Sequence, residues 1–318
     1  MTDSTSSASF CVRHPLAFAC GALVVCVGVY SVLGAWFPDG SIAPTAVAAV
    51  FAVVFYVVGK PRKGGENQRV VVGAPFEGGA GRREAVSVPF EGSEGRQLAV
   101  GRGELATSIF VLAAAVLATI AFIAFGGLAT VGTTEGDVPL TLGFGGEAPE
   151  GAWGVGALIL FCLLTAAFEE TLFRGVLYQR FLLLDAQSES DFALRALIAQ
   201  AVVFAVLHIV GFPAASGLDF GAQVVMLVLR VVAAFLFALL MARLVRISGS
   251  LALPIAVHFL YDLMLFAPVF LQGGFVRTNP LAGGIPDLVS VVIQVVVLAV
   301  VVVACARRES CYHTPSVS

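Results

Sequence analysis

Charge is what this sequence most lacks. Only 12% of its 318 residues are charged against 58% hydrophobic, and the mean hydropathy is +0.96. A soluble domain of this size could not clothe its surface with so few charges, so lipid is its main solvent. Lysine is nearly absent (Lys60 and Lys63), and the net charge is −3. With no basic face, nucleic acid is excluded as a partner. The six cysteines include no CxxC pair, which argues against a disulfide framework. Four of them lie within apolar runs and read as small hydrophobes. There is no HExxH and no GxSxG, and paired aspartates in a GxGD context are missing as well. Zincin, rhomboid-like and presenilin-like chemistry therefore have no support. Histidine is also scarce, with four in all: His14, His208, His258 and His313.

What the sequence has instead is long apolar runs. A bilayer core needs about 20 apolar residues in helical form. Segments near 16–37, 41–59, 104–126, 152–184, 192–211, 222–245, 251–272 and 285–305 qualify or nearly do. The expected fold is an all-α, polytopic membrane bundle of about eight transmembrane helices. The first run is too long for a signal-peptide core and is read as a retained span. The fourth exceeds the bilayer, so a tilt or kink is expected. Its amphipathic last turns, RGVLYQRFLLL, suit the interface.

Four regions follow from these runs. Residues 1–59 hold an N-terminal pair of helices, and 60–103 a Gly-rich charged linker with an internal PFEG repeat at Pro75–Gly78 and Pro89–Gly92. Residues 104–306 form a six-helix domain, and 307–318 a tail. With the N-terminus placed in the cytoplasm, 16 of the 18 Lys and Arg residues fall on the cytoplasmic side. That bias predicts a cell-membrane protein with both termini inside.

An ionisable group at mid-bilayer costs roughly 2.5–3.5 kcal/mol on insertion scales and so marks function by default. Glu169, Glu170, Arg174, His208, Arg230, His258 and Asp262 lie inside or at the edges of spans. Glu170 and Arg174, at i and i+4, pair on one face, and a salt bridge accounts for both. Glu169 is rotated by about 100° and needs another partner. His258 and Asp262 are again i and i+4. Gln200, Phe204 and His208 share a stripe. Such a set can hold a water and remove its proton, then stabilise the oxyanion formed on an attacked amide. The same side chains Glu169, His208 and His258 could instead hold zinc, so the cofactor is either zinc or none. Arg230, alone outside these clusters, has Asp262 or a substrate carboxylate as candidate partner.

Three patterns carry a resemblance. Glu169-Glu170-Thr171-Leu172-Phe173-Arg174 fits EExxxR, Phe204 to His208 fits FxxxH, and His258 to Asp262 fits HxxxD, in that order on successive spans. Together they resemble the CPBP family of CAAX proteases and bacteriocin-processing enzymes over about 150–272. The resemblance implies an intramembrane endopeptidase acting on a membrane-associated protein or peptide, whether a CAAX substrate or a propeptide. It implies that Glu169 and His208 activate water and that His258 and residue 262 support the oxyanion, with Glu170, Arg174 and Phe204 as supports. Residue 262 is Asp rather than Asn, and an ionised carboxylate repels an oxyanion. Asp262 is therefore expected to be protonated, paired with His258, or a metal ligand. Family members are often labelled metalloproteases, while the glutamate-dependent reading needs no metal. Two other classes remain open: a non-catalytic immunity or scaffold protein of the same fold, and a proton-coupled transporter, although no inverted repeat is visible.

Overall fold

The computed structural model describes residues 11, 14–36, 42–59, 102–131, 152–185, 192–209, 220–273 and 285–312. Their regular structure is entirely helical: α1 (Pro15–Trp36), α2 (Ala43–Gly59), α3 (Arg102–Val131), α4 (Ala152–Glu169), a π-helical segment (Glu170–Tyr178), α5 (Gln179–Asp185), α6 (Phe192–Leu207), α7 (Phe220–Ser248), α8 (Ala252–Gly273) and α9 (Ile285–Tyr312). The last turns of α4, the π segment and α5 run on as one element. Helix is the form apolar sequence must take in lipid, because each backbone N–H and C=O finds its partner within the segment. Five of the described stretches are long and apolar enough to cross a bilayer, and Ala43–Gly59, Leu194–Leu207 and Ala252–Ala267 are shorter apolar helices. The protein is a multi-pass helical membrane bundle, as its composition requires.

The fourth span passes into π geometry at the second glutamate of the pair. One expectation needs correction: its last turns do not present a polar face to the interface. Arg174, Gly175, Val176, Leu177, Tyr178 and Arg180 are all buried. The reason is the N-terminal pair, which packs over them. Arg180 donates to the carbonyls of Cys11 (3.2 Å) and Gly59, and its guanidinium lies 5.0 Å from the centre of the Phe18 ring. One side chain thereby satisfies carbonyls from both ends of the pair, and those partners repay its burial.

Small residues set the close approaches. A Cβ on Gly175 would lie 2.9 Å from Tyr56 Cδ2 and 3.0 Å from Leu251 Cδ1, so glycine is what lets α2 reach the π segment. Along α3, Val111, Ala114, Ala115 and Ala118 are fully buried, on the helix that α9 packs against. The turn between α7 and α8 is fixed by Gly249 at φ 65°, a conformation glycine adopts without strain. Ser250 Oγ then accepts from Ala252 N–H (3.1 Å) and caps α8. This tight reversal sets α8 beside α7 and brings His258 against Phe237, with ring centroids 4.8 Å apart.

Candidate active site

The π segment begins at Glu170, so the two adjacent glutamates straddle a change of helical register. His258 lies between them. Its Nδ1 donates to Glu170 Oε1 at 2.7 Å, while its Nε2 lies 3.7 Å from Glu169 Oε2 and 3.5 Å from Asp262 Oδ2. Three carboxylates thus converge on one imidazole. Arg174 Nη1 donates to the same Glu170 Oε1 at 3.0 Å, and both partners of that pair are fully buried. The sequence reading gave Glu170 only this salt bridge. In the fold it also fixes the orientation of His258.

Aromatic rings hold the charged centre. The Arg174 guanidinium lies 4.6 Å from the centre of the Phe204 ring, a cation–π contact that offsets part of its desolvation. Phe204 also packs edge-on to Phe173 (4.9 Å) and against the His208 ring (4.5 Å). His208 stands just past the end of α6, and its Nδ1 donates to the Phe204 carbonyl at 2.8 Å. That bond fixes the tautomer of the neutral ring and leaves Nε2 as the atom with a free lone pair. The four-residue spacing from Phe204 to His208 therefore serves both ring packing and this backbone bond.

Glu169, His208, Arg230, His258 and Asp262 all line one cavity of about 330 Å³. Phe204 lines it too, while Glu170 and Arg174 are fully buried and stand outside its lining as supports. Arg230 is half-buried on the α7 side, within electrostatic reach of Glu169 and His208. The cavity extends beyond the three motifs. Tyr30 and Thr45 from the N-terminal pair reach it, and the Tyr30 ring stacks on Phe168 at 6.2 Å, next to Glu169. Phe237, on α7, touches His258, Tyr261 and Phe204 at once. From α9 come Asp287, Ser290 and Gln294. Sequence reasoning passed over all of these. The last three had a readable signal, since polar residues at i, i+3 and i+7 form one stripe in an otherwise apolar span. Phe237 had none, being one phenylalanine among 25.

A zinc ion would need three protein ligands gathered about one point. Among the described residues no group of three or more His, Cys, Asp and Glu side chains has that arrangement. Glu169, His208 and His258 share the cavity but do not form such a ligand set, and His258 already has carboxylates at both ring nitrogens.

No curated protein and no solved structure matches the chain. One family does: the sequence model of the Rce1-like type II CAAX prenyl endopeptidases matches residues 151–264, about a third of the chain. The matched stretch contains all three motifs and ends two residues after Asp262. At the level of the family it supports a CAAX-type intramembrane endopeptidase acting on membrane-associated substrates. Residues 151–264 are thus similar to the Rce1-like type II CAAX prenyl endopeptidases, and in this helical membrane protein elements from both ends of the chain pack against them.

Proposed function

We propose that the protein hydrolyses a peptide bond of a prenylated CAAX-type or similar membrane-associated substrate, using water activated by Glu169 and His208. The observation that carries this reading is the convergence of Glu169, His208, His258 and Asp262 on one cavity inside the Rce1-like segment. Glu169 takes a proton from a water that also hydrogen-bonds to His208 Nε2, the lone-pair side of that ring. The water oxygen bonds to the scissile carbonyl carbon, whose π electrons move onto oxygen. His258, with carboxylates facing both ring nitrogens, is suited to the form in which both carry hydrogen. Its Nε2–H then donates to the developing oxyanion. Collapse of the tetrahedral intermediate breaks the C–N bond, and the proton held by Glu169 passes to the departing amine. Asp262 Oδ2 lies 3.5 Å from the same Nε2 and makes no hydrogen bond to it, so the Nε2–H stays available to the oxyanion while the carboxylate favours the charged imidazole. Glu170 and Arg174 act one step back, holding the His258 ring.

The test is cleavage of a farnesylated CAAX peptide by the full chain in liposomes, read by mass spectrometry with and without chelator. The expected result is release of the C-terminal fragment at equal rates in both arms. Activity that chelator abolishes and zinc restores would overturn metal-free water activation. No cleavage of the farnesylated peptide, nor of the same peptide without its lipid, would overturn the protease reading.

A further inference from the structure

The cavity wall supplied by α9 lies wholly outside the Rce1-like segment, yet it holds a tethered polar group. Gln294 is largely buried, and its Oε1 accepts from the Tyr261 hydroxyl at 2.8 Å. With the carboxamide oxygen engaged, the NH2 end is what Gln294 offers to the cavity it lines. Tyr261 is itself fixed, because its ring packs on Phe237 at 4.7 Å, and Phe237 packs on His258 at 4.8 Å. Gln294 and His258 are therefore linked through two packed rings, Gln294 bonded to Tyr261 and His258 set against Phe237. A hydrogen-bond donor fixed in this way needs no reorganisation when substrate arrives.

A peptide entering this cavity brings backbone carbonyls that leave water behind, and each unsatisfied one is costly. The wall must answer with donors, and the groups of the three motifs supply few. The carboxylates of Glu169 and Asp262 only accept. The Nδ1–H of His208 is spent on the Phe204 carbonyl, and that of His258 on Glu170. Resting on the protease reading above, we infer that Gln294, tethered by Tyr261, is a substrate-binding residue. Its amide donates to a backbone carbonyl of the substrate next to the scissile bond. The substrate-binding surface thus includes the last described helix as well as the Rce1-like segment.

The experiment uses the full chain in liposomes with the farnesylated CAAX peptide and compares Gln294→Met, Gln294→Glu, Tyr261→Phe and Glu169→Gln. Gln294→Met removes donor and acceptor at similar volume. Gln294→Glu keeps the acceptor for Tyr261 but loses the donor, which guards against a folding defect in the first variant. Tyr261→Phe removes only the tether. Both Gln294 variants are expected to raise KM about tenfold with kcat within about threefold of wild type. Tyr261→Phe is expected to raise KM by a smaller factor. Wild-type KM in Gln294→Glu, or a Tyr261→Phe variant as impaired as Gln294→Met, would reduce Gln294 to a packing partner of Tyr261 and overturn the inference. Glu169→Gln separates the two claims. If it abolishes cleavage while the Gln294 variants behave as wild type, the site stands and only this assignment falls. If it cleaves normally, the assignment of water activation to Glu169 fails whatever Gln294 does.

Discussion

Glu170 is the residue whose role changes most between sequence and fold. Read along one helix, it is half of a salt bridge with Arg174. Read across helices, its Oε1 accepts from both Arg174 and His258. A buried pair adds little net stability when intact but is costly to break, about 3–5 kcal/mol when one partner is removed. Glu170→Ala is therefore expected to destabilise the protein by that order, read as a fall in the detergent melting temperature. It should also lower turnover per folded molecule, because His258 loses the acceptor at Nδ1. A melting shift with wild-type turnover per folded molecule would leave Glu170 a structural residue only. The motif residues were legible because an ionisable group in an apolar run has few reasons to be there. The contact between Glu170 and His258 was not, since it joins residues 88 apart in sequence and depends on where α8 passes the π segment.

Among the elements, the span positions were legible and the register of the fourth was not. Apolar length placed all eight spans, most of them to within a few residues of their observed ends, but α3 runs on to Val131 and α9 to Tyr312, past the expected 126 and 305. A π segment leaves no comparable mark, because its hydrogen-bond shift is fixed by what packs around it. Here that packing includes α2, which approaches so closely that Gly175 has no room for a methyl group against Tyr56 and Leu251. Gly175→Ala is expected to destabilise by about 1–3 kcal/mol through overpacking. Adding Tyr56→Ala should recover much of that loss. Recovery would be seen as a melting temperature for the double variant above that of Gly175→Ala alone. If the two losses simply add, the contact between α2 and the π segment is not what excludes a side chain at 175. The α9 stripe is a different lesson. Asp287, Ser290 and Gln294 were readable by spacing, but Ser290 and Gln294 are uncharged and so escape a search for ionisable groups.

For the whole molecule, the N-terminal pair is part of the bundle around the site: Arg180 clasps it, and Tyr30 and Thr45 line the cavity. We propose that both termini face the cytoplasm, on the asymmetry of Lys and Arg among the connecting segments. Arg174 and Arg180 are buried and no longer count toward that bias, but the cluster from Lys60 to Arg102 still dominates it. A reporter fused after Gly64 should read cytoplasmic and one near Glu147 external. The reverse pattern would invert the orientation.

The central claim is that Glu169 is the base in this cavity and that Glu170, its neighbour, is not. It is tested most directly by the rate at which Glu169→Gln cleaves the farnesylated CAAX peptide, normalised to folded protein in the same liposomes. The substitution keeps size and hydrogen-bonding capacity but removes the basic carboxylate. The account predicts a loss of about a hundredfold or more, in line with the usual contribution of a general base, at an unchanged melting temperature. A Glu169→Gln variant that turns over at the wild-type rate would contradict it.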